Sequence, residues 1–153
     1  MTHAELVARG EKWLWGIGCK VVLREFQGIA GGEIPDIIGW HWENTFLVEC
    51  KANRADFLGD KNKLFRKYPD YGMGNFRVFL TPPGLIQPEE LPERWGLLYA
   101  YPSRIVTQQG YSPRRPSYYF KANTKNETTM LVSALRRFVV RGMLDTIYKP
   151  MGE

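Results

Sequence analysis

A chain of 153 residues is the length of one ordinary domain, enough to bury a single core without disulfides or structural metals. Twenty-one Lys and Arg against sixteen Asp and Glu leave a net charge of +5, which suits a polyanionic partner without requiring one. No apolar run approaches the roughly 18 residues of a membrane span, the opening MTHAELVARG lacks the order of a signal peptide, and Cys19 and Cys50 have no metal-like spacing. These features predict a cytoplasmic protein with buried free thiols, no membrane partner and no cysteine metal cage.

THAELVARGEKWLWGIG reads as a helix begun by a capping box, Thr2 as N-cap and Glu5 three residues on, with Leu6, Trp13, Leu14 and Ile17 as its apolar stripe. CKVVLREFQ follows as a strand and GIAGGE as a glycine-rich loop. PDIIGWHW and TFLVECKA then form a hairpin around the turn-like EN. NRADFLGDKNKLFRKY has helical character, with Asn53 as N-cap and Phe57, Leu58, Leu64, Phe65 and Tyr68 as the inner face. NFRVFL and WGLLYAY are further strands, separated by the proline-punctuated LIQPEELPER. TQQGYSPRRPSYYF is a basic, aromatic loop with room for an edge strand at SYYF. A last helix begins with a second capping box, Thr124 and Glu127, and turns Leu131, Leu135, Phe138 and Val139 inward. The order predicts a single α/β domain over residues 1–153 with a mixed central sheet flanked by helices. The hairpin is antiparallel, and the helix after Lys51 crosses over to bring NFRVFL in parallel to TFLVECK.

Three charges interrupt the hairpin strands: Asp36, Glu49 and Lys51. An even-numbered turn, Glu43 and Asn44 alone or Trp42 to Thr45, pairs Asp36 with Lys51 and Ile38 with Glu49. All three charges then share one face, whereas an odd turn separates Asp36 from the others. Two carboxylates and an ammonium in a partly buried cluster are costly unless paired or bound to a cation. A hard ion such as Mg²⁺ takes oxygen ligands, which Asp36, Glu49 and the backbone carbonyl of Cys50 can supply. Lys51, one pleat beyond Glu49, is then positioned to orient or deprotonate a water, or to stabilise charge on a phosphate.

Pro35-Asp36, followed after an apolar strand by Glu49-Cys50-Lys51, resembles the PD-(D/E)XK nuclease superfamily. The resemblance implies a restriction-endonuclease-like α-β-β-β-α-β core over about residues 2–101, with the basic loop and C-terminal helix over about 102–150 as additions. It also implies Asp36 and Glu49 as metal ligands and Lys51 as the catalytic lysine. Members similar to archaeal Holliday-junction resolvases carry an acid on the first helix, where Glu5 stands; Glu11, Glu25 and Glu33 compete with it. The implied activity is Mg²⁺-dependent hydrolysis of DNA, with Mn²⁺ able to substitute, in DNA repair, recombination or phage DNA processing. A non-cleaving nucleic-acid-binding module on the same fold and an RNA-processing nuclease are the alternatives. A homodimer would suit cleavage of both strands, although no residue specifies one.

Lys61, Lys63 and Arg66, on the helix after Lys51, face either solvent or the phosphates of duplex or branched DNA. Arg114 and Arg115, among Tyr111, Tyr118 and Tyr119, either track a nucleic-acid backbone or line a plain exposed loop. His3 and His41 have no partner at metal-site spacing and read as ordinary surface or strand-end histidines.

Overall fold

In the computed structural model, which describes residues 1–28, 32–110 and 116–152, the first helix α1 (His3–Gly16) begins as its sequence dictates. Glu5 N–H donates to Thr2 Oγ1 at 3.2 Å and Thr2 N–H donates to Glu5 Oε2 at 2.6 Å, closing the capping box. Leu6 and Leu14 are fully buried. Between them, Gly10 lets the helix lie close on the sheet, because a methyl group there would collide with the Ile37 side chain.

The sheet has six strands in chain order: β1 (Val21–Arg24), β2 (Ile37–His41), β3 (Asn44–Cys50), β4 (Phe76–Thr81), β5 (Gly96–Ala100) and β6 (Ile105–Gln109). β1, β2 and β3 form an antiparallel meander, β4 and β5 follow in parallel, and β6 returns antiparallel. The parallel β3–β4 pair is the crossover expected from sequence. β6 is an addition, since its polar residues Thr107, Gln108 and Gln109 carry no strand pattern, and SYYF forms a short 3₁₀ turn at its start instead of an edge strand. α1 covers the face made by Ile37, Val48, Cys50, Val78 and Leu80. The opposite face, with Ile38, Leu47, Phe79 and Leu97, is closed by Phe57, Trp95, Phe120 and Met130. On it Phe79 stacks on Trp95 and meets Phe57 edge-on, with ring centroids 4.5 and 5.4 Å apart.

The helix after Lys51 is broken in two, α2 (Arg54–Asp60) and α3 (Leu64–Lys67). Asn53 caps α2 as expected, its side chain accepting from Asp56 N–H. The expected inner face fails beyond Phe57: Leu58, Leu64 and Tyr68 are exposed, while Asp60 is buried. The cause is electrostatic, because Asp60 is drawn inward by Lys51 and Arg66, and the break over residues 61–63 lets Lys63 and Arg66 turn onto the sheet.

The last helix, α4 (Thr124–Val140), is capped by Asn123 and not by Thr124; the Asn123 side chain accepts from Asn126 N–H at 3.1 Å. Glu127 leaves the cap altogether. Its buried carboxylate accepts from Gly74 N–H and Thr45 Oγ1–H, both at 2.8 Å, and so ties α4 to the start of β3. Only the first half of α4 lies on the core. Leu131 is partly buried, but Leu135, Phe138 and Val139 are exposed, because the second half runs along residues 26–28 beyond the edge strand β1. Among the described residues no helix is long and apolar enough to cross a membrane, and Cys19 and Cys50 are buried free thiols.

Candidate active site

Alternation along β3 sends Leu47 and Glu49 to one face and Val48 and Cys50 to the other. The hairpin closes with His41 opposite Asn44, so the turn is the even, two-residue Trp42-Glu43, one residue earlier than expected, with Trp42 at φ +52°. Its register, Ile37 opposite Val48 and Ile38 opposite Leu47, corrects the expected pairing by two residues. Carried one step beyond Ile37, it sets Asp36 against Glu49 instead of Lys51. A two-residue shift preserves the face, and the charges of Glu49 and Lys51 both act on Asp36.

Asp36 is fixed at this end of the ladder. Cys50 N–H donates to its Oδ2 at 2.7 Å, and its backbone carbonyl accepts from Glu25 N–H at 2.9 Å. Cys50 therefore meets Asp36 through its N–H. Burial and then the charge of Glu49 push the Asp36 carboxyl above its usual range, against the lowering effects of that N–H, His3 and Lys51.

Glu49 and Lys51 are buried, and neither is simply paired with the other. Lys51 Nζ lies 2.8 Å from Asp60 Oδ1 and 3.7 Å from Glu49 Oε2. Lys63 Nζ reaches Glu49 at 2.9 Å and Asp60 at 3.1 Å. Arg66 joins Asp60 at 2.6 Å, Glu33 at 3.4 Å and Glu49 at 3.5 Å, with its guanidinium 4.3 Å from the centre of the Trp95 ring. Burial alone would raise the Asp60 pKa, but Arg66 and Lys51 draw it below the usual range. Glu33, which accepts from Met73 N–H, is raised by burial.

Several expected residues land elsewhere. Glu5 does not complete the site, because it is exposed and its carboxylate is held by Thr2. His3, read from sequence as an ordinary surface histidine, is the α1 residue that reaches the site: its Nε2 lies 3.2 Å from Glu25 Oε1 and 3.6 Å from Asp36 Oδ1. Donor atoms of His3, Glu25 and Asp36 all lie within 4.8 Å of one another. Arg66 cannot meet a nucleic-acid backbone in this arrangement, since its side chain is only 3% exposed. Lys63 pairs with Glu49 and Asp60 while staying exposed, and Lys61 is exposed as well. Arg114 and Arg115, with Tyr111, lie outside the described residues. Asp60 was missed by sequence reading, yet it had a signal: it follows Phe57 by three residues and so places an acid on the apolar face of the helix.

Among the described residues, the side chains placed to hold a metal ion are His3, Glu25 and Asp36. Beside Asp36, three carboxylates, Glu33, Glu49 and Asp60, meet three cations, Lys51, Lys63 and Arg66. His3 and Glu25 set a nitrogen and a further carboxylate beside Asp36, on the side away from this cluster.

Neither a family model nor a curated protein matches this chain. A solved structure does: the SPO1766 protein of unknown function from Silicibacter pomeroyi, 21% identical, with a TM-score of 0.60 over 100% of this chain and 99% of that one. At that identity the likeness shows a shared fold and nothing about activity.

Proposed function

We propose that this protein is a metal-dependent phosphodiester hydrolase of the PD-(D/E)XK type, acting on DNA. The feature that supports this reading is the β2–β3 hairpin, whose register, extended one step past Ile37, would set Asp36 against Glu49, with Lys51 3.7 Å from Glu49. Asp36 and Glu49 would hold Mg²⁺, which when bound supplies Lewis-acid stabilisation of charge on a phosphoryl oxygen. His3 and Glu25 are placed to share Asp36 in holding a cation.

The chain's own residues then divide the work. Asp60 anchors the Lys51 ammonium, and Lys51 orients the attacking water or stabilises the charge that develops on the phosphate. Lys63, whose side chain is 43% exposed, is free to move off Glu49 when a cation arrives. The expected products are a 5′-phosphate and a 3′-hydroxyl, in DNA repair, recombination or phage DNA processing. Two buried free thiols are in keeping with a reducing cytoplasm.

A second reading, a nucleic-acid-binding module that does not cut, draws on the closure of Glu49 by Lys63 and Arg66. The deciding experiment incubates the protein with Mg²⁺ or Mn²⁺ and duplex, single-stranded, flapped and four-way-junction DNA, with an RNA control. Metal-dependent nicking that disappears in Asp36→Asn and in Glu49→Gln, both folded, supports the hydrolase. Binding without cleavage selects the module, and preferential cleavage of the RNA control selects an RNA-processing enzyme.

A further inference from the structure

Beyond the hairpin site, the second half of α4 carries Ser133 and Arg137 at i and i+4, with Arg136 and Val140 on the adjacent row and Arg141 capping the helix end. Together with Gln27 and Gly28 these residues line an open groove of about 310 Å³. One wall is fastened: Ser133 Oγ–H donates to the Gly28 carbonyl at 2.9 Å, and Arg137 donates to the Gln27 carbonyl at 3.2 Å while its guanidinium sits 4.1 Å from the centre of the Phe26 ring. Among the described residues none of the three arginines has a carboxylate within ion-pair distance.

Two effects bear on such a cluster. Basic residues in a last helical turn are favoured by the helix dipole, by about 0.3–1 kcal/mol each when exposed. Like charges at i, i+4 oppose this by a few tenths of a kcal/mol. The dipole accounts for a basic helix end, but not for three guanidiniums gathered around one recess with their hydrogen-bond donors directed at no acid. Arg137 is held by a carbonyl and a ring, so it is set in place before any ligand arrives, which lowers the ordering cost of binding one.

Position then selects among anions. β1 runs in the same direction as β3, so its end at Arg24 lies at the same edge of the sheet as Cys50 and Lys51. Gln27 follows Glu25 by two residues, a chain reach of at most about 7 Å, and Glu25 touches the His3–Asp36 group. We infer that the groove of Arg136, Arg137 and Arg141 binds the phosphate backbone of a nucleic acid and leads the strand to Asp36. This rests on the phosphodiester reading of the neighbouring site and adds to it a substrate track.

The test is equilibrium binding of labelled duplex DNA in EDTA, across a range of KCl concentrations, by the parent, by Arg136→Gln/Arg141→Gln and by a charge-matched control, Lys12→Gln/Lys20→Gln. Arg137 is kept because it holds Gln27, and a melting curve checks each fold. Losing two phosphate contacts should make the slope of log K against log salt shallower by about 1.8 and weaken binding equally on unrelated sequences. The control should keep the parental slope. An unchanged slope in the arginine variant, or equal changes in variant and control, overturns the groove. Arginine-dependent binding to phosphatidylserine vesicles with an unaltered DNA slope also overturns it, in favour of a membrane surface. A parent that binds through these arginines yet never cuts with Mg²⁺ leaves the groove standing and removes only the hydrolase reading.

Discussion

Lys51 is anchored by Asp60, not by the glutamate two residues before it in the same strand: the ammonium lies 2.8 Å from Asp60 Oδ1 and 3.7 Å from Glu49 Oε2. Asp60 also takes Arg66 and Lys63, so Asp60→Asn leaves three cations crowded around a neutral amide. Breaking a buried ionic cluster on one side costs about 3–5 kcal/mol, which urea denaturation should register. The pH sense follows from the lowered Asp60 pKa. Its contribution is present above the unfolded carboxylate value of about 3.9 and is lost as pH falls through the lower folded value, so parental acid unfolding should include a component below about pH 4 that Asp60→Asn lacks.

Lys51→Ala separates chemistry from charge balance. A catalytic Lys51 predicts a fall in single-turnover cleavage of at least about a hundredfold, with metal and DNA binding retained. A Lys51 that only neutralises the cluster predicts near-parental cleavage and a melting defect in metal-free buffer. Added Mg²⁺ should repair that defect only in part, because Asp60 faces cations that belong to the protein.

His3 and Glu5 exchange the roles that their sequence positions suggest. Glu5→Ala should lower the melting temperature slightly through the lost half of the capping box and leave Mn²⁺ affinity unchanged in titration calorimetry. His3→Ala should weaken Mn²⁺ binding while scarcely moving the melting temperature, since the side chain is nearly half exposed. Equal Mn²⁺ affinity in parent and His3→Ala would remove the histidine from the site.

Glu127 is a test of the fold alone. Burial raises its pKa, an effect that Gly74 N–H, Thr45 Oγ1–H and Arg77 only partly counter. A raised carboxyl stabilises the protonated folded state, so parental stability should decline as pH rises from the unfolded glutamate value of about 4.3 through the folded one. Glu127→Gln keeps an oxygen for both donors and should flatten that decline. Glu127→Ala strands the buried Gly74 N–H, at about 1–3 kcal/mol for that group, whereas the Thr45 hydroxyl keeps Asn75 Oδ1 as an acceptor at 3.2 Å.

Much of this molecule was legible in local pattern. The capping box of α1, the Asn53 cap and the alternation along TFLVECK all follow from interactions within a few residues. An even turn brings Asp36, Glu49 and Lys51 to one face, and the two-residue turn seen in the hairpin is even, but the sequence left that parity open. The register itself was not legible, because His41 to Thr45 holds no dipeptide that imposes a single turn, and a slip of two residues leaves every side chain on its own face. Glu127 shows the limit from the other side: its spacing from Thr124 imitates a capping box, but a buried Thr45 hydroxyl and Gly74 N–H, far away in sequence, compete more strongly for the same carboxylate. The partners of Lys51, the turning-in of Lys63 and Arg66, the approach of His3 to Asp36 and the arginine groove were decided only by tertiary structure. Long charged side chains pair with whatever opposite charge lies within a few ångströms after the sheet has formed, and local periodicity carries no record of that distance.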